Sequence, residues 1–169
     1  MLIAAACLSV TVGLAVTAFG VFLVRRRLAV VEVAGPSMQP ALSSGDRVLV
    51  RRARMSELRS GLVVVVERPR PGGGWAGAPP SWPPGQREWL IKRVAALPGD
   101  RRPADVPPPG SDPDDAVVPR GMFVVLGDNA AWSQDSRVIG CVPAERLLGI
   151  MIRPLNDRQT STSRGHHAQ

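Results

Sequence analysis

Glycine and proline limit what this chain can build. It holds 17 of each, and past the first 27 residues they cut the apolar sequence into short runs. Leu28 to Val33, Val48 to Val50, Leu62 to Val66, Met122 to Leu126 and Leu147 to Ile152 are rich in Val, Leu and Ile and are bounded by turn residues. Runs this short, β-branched and flanked by Gly or Pro, read as strands. Glu88 to Leu97 has the same character. The expected fold class is mostly β: one compact domain with irregular Pro/Gly-rich loops. Residues 69–86 and 101–115 form the two long loops, too poor in core residues to be domains. In the first, Trp75 and Trp82 either cover the core or rest at a membrane interface. Met55 to Ser60 reads as a polar loop and Pro143 to Arg146 as a helical turn. Residues 156–169 read as a disordered polar tail.

The amino-terminal stretch obeys a different rule. Leu2 to Val24 carries no charge, and as a helix it would span roughly 35 Å, enough to cross a bilayer. A cleaved secretory signal fits less well, because no basic region precedes the run and the run is too long. Residues 1–27 are therefore expected to be one transmembrane helix with a basic flank. Arg25-Arg26-Arg27 follows at once. By the positive-inside rule, that cluster would hold the rest of the chain in the cytoplasm.

The formal charge of +7 and the pI near 11.3 raise the question of nucleic acid. The arginines are scattered, aromatics for base stacking are few, and no nucleic-acid motif is present, so no such partner is expected. Attraction to anionic lipid headgroups is an equally good use of the charge. No Cys/His cluster has metal spacing, and no metal or cofactor is expected. Cys7 lies in the apolar segment and Cys141 far from it, so an intrachain disulfide is not expected. Both histidines, His166 and His167, sit in the tail, which removes the base of a Ser-His-Asp triad.

A hydroxyl nucleophile would then need a different base. Lys92 is the single lysine among 21 Lys+Arg residues. Arginine cannot take a proton, because its guanidinium stays charged. Lysine can, if burial lowers its pKa from ~10.4. On a strand, Lys92 shares a face with Leu90 and Val94 while Arg93 points away. The simpler reading of Lys92 is a strand-edge charge that blocks aggregation. Ser37 lies in the Gly/Pro-framed turn Gly35-Pro36-Ser37-Met38-Gln39-Pro40, which by itself is ordinary turn chemistry.

Four blocks in order resemble the bacterial type I signal peptidases, membrane-anchored Ser–Lys proteases. They are Gly35-Pro36-Ser37-Met38-Gln39-Pro40-Ala41-Leu42, Gly45-Asp46-Arg47-Val48-Leu49-Val50, Lys92-Arg93-Val94-Ala95-Ala96-Leu97-Pro98-Gly99-Asp100, and Gly127-Asp128-Asn129 followed by Ser133, Asp135, Ser136 and Arg137. The resemblance implies a catalytic domain over residues 28–155, with Ser37 as nucleophile, Lys92 as general base and Ser133 orienting the lysine amine. It also implies that Asp128, Asp135 and Arg137 scaffold the site, through an Asp–Arg pair. The Ser37 backbone N–H would hold the oxyanion. The family's side-chain hydroxyl two residues earlier is missing, since Gly35 stands there. Ala41 replaces a threonine of the family block and Ala96 a glycine.

The function so implied is cleavage of signal peptides from exported precursor proteins that carry small residues before the cut. The enzyme would sit in the lipid bilayer with its catalytic domain outside the cytoplasm, against the indication of Arg25 to Arg27. Met38 would lie near the membrane surface. The alternatives are a protease dedicated to one precursor, such as that of a nickel enzyme or a peptide product, and an inactive basic membrane-surface binding protein.

Overall fold

The computed structural model describes residues 13–22, 27–71, 74–75, 77–82, 84–85, 87–108 and 116–156. The expectation of a mostly β fold holds. Strands β1 (Leu28–Glu32), β2 (Arg47–Arg52), β3 (Val63–Glu67), β4 (Trp89–Ala96), β5 (Met122–Leu126), β6 (Val142–Pro143) and β7 (Leu147–Pro154) form one sheet in the order β1-β2-β7-β3-β4-β5-β6. All neighbours are antiparallel. The chain-terminal strand β7 enters between β2 and β3, so closing the sheet requires the whole domain.

The β-branched run predicted to be a buried strand is the centre of the sheet. Every residue of β3 is buried, with Val65 on one face and Val64 and Val66 on the other. Val65 joins Val48, Val50, Ile91, Met38 and Leu42 in one core cluster. Val64 and Val66 join Leu90, Val94, Phe123 and Val125 in a second. A strand covered on both faces reads as continuous hydrophobicity rather than alternation. Each fully buried aliphatic side chain contributes about 1.5–3 kcal/mol of burial free energy, so the two clusters dominate stability.

Glu67 ends this strand at 2% exposure. A carboxylate so placed must be paired. The Arg87 guanidinium lies 2.6 Å from Glu67 Oε1 and that of Arg146 3.1 Å from Oε2. The same arginines donate to the carbonyls of Ala78 and Gly77, and Arg146 stacks over Trp75 at 5.8 Å. The Pro/Gly-rich loop is thus clipped to the sheet. Trp75 and Trp82 are partly buried and pack against the two core clusters.

Two expectations need correcting. Met38 does not face a membrane; it is completely buried, because the turn around Ser37 uses it as an anchor in the first cluster. Met55 to Ser60 is not all loop. A 3-10 turn covers Met55–Glu57, with Glu57 accepting from the Arg54 N–H at 2.8 Å. An Arg-x-x-Glu start lacks the Ser/Thr/Asp signal by which such turns are read. The helical turn near Pro143 is present as Ala144–Arg146.

Residues 13–22 are helical. The rest of the Leu2–Val24 segment, Cys7, Arg25 and Arg26 lie outside the described residues, as does the tail beyond Asn156. Among the described residues no helix is long and apolar enough to cross a membrane.

Removing one partner from a buried ion cluster costs more than the cluster contributes. Glu67→Gln leaves Arg87 without its carboxylate and Arg146 with only the exposed Glu145, and is expected to destabilise the domain by on the order of 3 kcal/mol. A lowered thermal midpoint by circular dichroism, together with faster proteolysis in residues 69–86, checks this.

Candidate active site

The turn that carries Ser37 is built by local hydrogen bonds. The Gln39 N–H donates to the Pro36 carbonyl at 3.0 Å and the Leu42 N–H to the Met38 carbonyl at 2.8 Å. Met38 and Leu42 are buried on either side of it. Gly35 enters the turn at φ +81°, a conformation that L side chains rarely adopt. Its N–H donates to Ser44 Oγ at 3.2 Å. There is open space where a side chain at Gly35 would go, so backbone conformation and not crowding accounts for the glycine. Among the described residues, the Ser37 N–H is not taken by any acceptor.

Lys92 sits in β4, opposite Val64 of β3, between the buried Leu90 and Val94, and is itself 2% exposed. The strand-edge reading therefore fails, since β4 is interior to the sheet and Lys92 is enclosed. Its Nζ lies 2.6 Å from Ser37 Oγ. Burial pushes the Lys92 pKa down to about 8. Asp135 opposes that shift, Arg68 and Arg137 reinforce it, and Asp128 opposes it more weakly. A substantial fraction of Lys92 is then neutral near physiological pH, and a neutral amine can accept the Ser37 proton.

A third segment closes over this pair. The Asn129 N–H donates to the Ser37 carbonyl at 3.0 Å. A Cβ at Gly127 would stand 2.1 Å from Ser133 Oγ and 2.7 Å from the Ser37 carbonyl oxygen. Only glycine lets the Ser37 turn and the Ser133 side chain approach β5 so closely. Ser133 Oγ is buried and acts on the Asp135 carboxylate; its bond to Lys92 is not among those formed.

Asp135 organises the loop beyond. It is wholly buried. It caps the short helix Ser136–Ile139 through the Arg137 N–H and accepts from the Gly127 N–H at 2.8 Å. Arg137 pairs with it at 2.6 and 3.0 Å. Burial pushes the Asp135 carboxyl up, but the Arg137 guanidinium and the Gly127 N–H, with a smaller pull from the Ser133 hydroxyl, outweigh it and hold it below the ordinary value. Ser136 Oγ accepts from the Val125 N–H at 2.9 Å. Asp128 makes a different pair: both its oxygens take the guanidinium of Arg93, at 2.8 and 2.7 Å. Arg93 is the neighbour of Lys92, and alternation sends the two side chains to opposite faces of β4. That fork ties β4 to the loop after β5.

The structure therefore brings Ser37, Lys92, Gly127, Asp128, Ser133, Asp135 and Arg137 into one cluster. Residues 4–102 and 106–155 match the family described as signal peptidase, peptidase S26. The chain belongs to that family. It is 33% identical over 121 residues to a mitochondrial ATP-independent inner membrane protease subunit 1a of Arabidopsis thaliana, an alignment that covers 69% of this chain and 64% of that relative. It is 25% identical over 153 residues to signal peptidase IB of Staphylococcus aureus, covering 69% of this chain and 72% of the relative.

Two features of the site escaped the sequence reading. One is the Arg93–Asp128 fork, which needs knowledge of the β4–β5 register. The other is Arg68, whose guanidinium holds Gln134 Oε1 at 2.6 and 3.1 Å and Glu88 at 2.9 Å. It thereby links the end of β3 to the residue beside Ser133.

Two outcomes follow for this geometry. Arg68→Gln removes a positive charge that disfavours the Lys92 ammonium, so the Lys92 pKa is expected to rise above about 8, as read by NMR titration of the only lysine side chain. Gly127→Ala forces a side chain against the Ser37 carbonyl and is expected to destabilise the domain by about 1–3 kcal/mol, seen as a lowered thermal midpoint by circular dichroism.

Proposed function

We propose that this chain is a membrane-anchored serine endopeptidase that removes signal peptides from exported precursor proteins. Ser37 is its nucleophile and Lys92 its general base. The observation that carries this reading is the 2.6 Å approach of a buried, pKa-lowered lysine to a serine hydroxyl. A lysine beside an aliphatic core gains nothing structurally that leucine or methionine would not supply, whereas activation of a hydroxyl requires a neutral amine.

Catalysis proceeds by acyl transfer. The Ser37 hydroxyl donates its proton to neutral Lys92 Nζ as Oγ attacks the scissile carbonyl carbon. The tetrahedral oxyanion accepts from the Ser37 N–H. Donors of this kind are worth about 2.7–4 kcal/mol each. Collapse breaks the C–N bond, and the Lys92 ammonium gives its proton to the departing amine. The ester is then hydrolysed by a water that Lys92 deprotonates, and Ser37 regains its proton. Ser133, which makes no bond to Lys92 in this structure, would orient the lysine amine by turning its hydroxyl to Nζ, and Asp128, Asp135 and Arg137 hold the loops that carry these groups. No metal or cofactor enters the scheme.

A groove of about 450 Å³ lies between Glu32 and Ala34 on one side and Glu88 and Trp89 on the other, the segments that lead into Ser37 and Lys92. We assign it to the precursor chain, whose small residues before the cut let the carbonyl reach Ser37. The domain over 28–155 then acts outside the cytoplasm, held by the apolar segment over 1–27. A reporter fused after Leu155 and active only in the cytoplasm would overturn that orientation.

Ser37→Ala and Lys92→Arg are each expected to lower precursor cleavage by at least about a thousandfold in protein that stays folded. Lys92→Arg is the sharper variant, because it keeps the charge and loses the base. In the wild type the ammonium form is inactive, so cleavage is expected to rise with pH through about 8 and to be lost below it. Unchanged turnover in either variant, or a rate flat across that range, would sink the assignment.

A further inference from the structure

A second cleft lies away from the Ser37–Lys92 pair, at the end of the sheet where the chain enters β1. It measures about 1280 Å³, and Arg27, Arg51, Arg52 and Arg54 line it. Pro79, Pro80, Trp82 and Leu148 supply apolar lining, with Ser81 and Glu145 among them.

The cations here are not balanced. The Arg52 N–H donates to the Arg27 carbonyl at 2.9 Å, which sets Arg27, just before β1, across from Arg52 at the end of β2. Like charges so placed repel. Two carboxylates also line the cleft and offset part of this charge. Glu57 takes the Arg51 guanidinium and the Arg54 N–H, and Glu145 takes Arg146 at 3.2 Å. Among the described residues, no carboxylate lies within ion-pair distance of Arg27 or Arg52. The partly buried Trp82 ring, packed on the first core cluster, borders the same cleft. Two unpaired guanidinium groups, those of Arg27 and Arg52, therefore share one cleft with an aromatic ring, and a ligand bearing anionic oxygens would pair them.

We propose that this cleft binds the headgroup of an anionic phospholipid, with Arg27 and Arg52 taking the phosphate and Trp82 lying against the glycerol and first acyl carbons. A free phosphate would use the arginines and leave the apolar lining exposed. A lipid uses both, and tryptophan suits the boundary between headgroup and acyl chain. Position agrees, since Arg27 comes just after the apolar run Leu2–Val24 and so stands where the chain would leave a bilayer. The inference rests on the membrane placement proposed above and is independent of the Ser–Lys chemistry.

The test uses full-length protein in a neutral detergent, titrated with short-chain phosphatidylglycerol, phosphatidylcholine of the same chain length, or inorganic phosphate, with binding read by native mass spectrometry. Two arginines near a headgroup correspond to a preference of about thirtyfold for phosphatidylglycerol over phosphatidylcholine. Arg27→Gln with Arg52→Gln is expected to remove that preference. Arg59→Gln with Arg120→Gln, which removes the same charge from exposed positions outside the cleft, is expected to keep it. Equal affinity for the two lipids, or equal loss in the two double variants, overturns the site. Inorganic phosphate that competes as well as phosphatidylglycerol overturns the lipid as its occupant. Precursor cleavage in detergent is expected to survive the Arg27/Arg52 change, which separates failure here from failure of the peptidase reading.

Discussion

The contact between Lys92 and Ser37 is the constraint to which the rest of the structure answers. Placing the only lysine of the chain at 2% exposure carries a cost. Its pKa falls from 10.5 to about 8, which corresponds to about 3 kcal/mol. The sign is fixed by which state binds the proton more weakly. The unfolded lysine stays protonated up to its ordinary pKa and the folded one only up to about 8, so the penalty is complete below pH 8. It is relieved as pH rises from there toward 10.5. The two core clusters of aliphatic residues on either face of β3 offset it.

Holding the pair at bonding distance takes three separate stretches of chain. Lys92 comes from the interior strand β4, Ser37 from the turn after β1, and the loop after β5 bridges the two. The bridge is short-range and rigid. The Asn129 N–H grips the Ser37 carbonyl, the Asp135 carboxylate grips the Gly127 N–H, and Arg93 grips Asp128 across the strand pair. Gly127 sits where these meet, and its missing side chain is what allows two backbones and the Ser133 hydroxyl to share the space. The site is therefore specified as much by an absent methyl group as by the polar residues around it.

Much of this was legible in the sequence, for identifiable reasons. Short apolar runs between turn residues match the five longer interior strands within one or two residues, β3 because burial on both faces leaves a continuous apolar signature and the others because turn residues bound them. The four motif blocks carried the residues of the site, because turn and loop chemistry is local. What was not legible is what depends on register. Asp128 was expected to scaffold the site, but its partner Arg93 follows only from knowing that Arg93 faces Leu126. Met38 looked like a surface residue beside a turn, and only the fold shows that the turn is pinned by it. The Glu67 cluster was invisible because a charged residue at the end of an apolar run reads as the strand emerging into solvent, when here it meets two arginines from segments 20 and 79 residues away.

The near-total replacement of lysine by arginine has a physical consequence for the site. Arginine keeps its charge at every pH a cell meets, so the pairs Arg93–Asp128, Arg137–Asp135 and Arg146–Glu67 form a scaffold whose electrostatics do not change across that range. Arg68 and Arg137 contribute a constant positive field at Lys92. Were these positions lysines, burial and mutual repulsion would let them titrate as well, and the proton sought by the base would be shared among several amines. With arginine at those positions, Lys92 is, among the described residues, the one basic group beside Ser37 able to change its charge near neutrality. The same substitution turns a compositional bias into selectivity, because the surrounding cations can shift the lysine pKa while none of them can take its place.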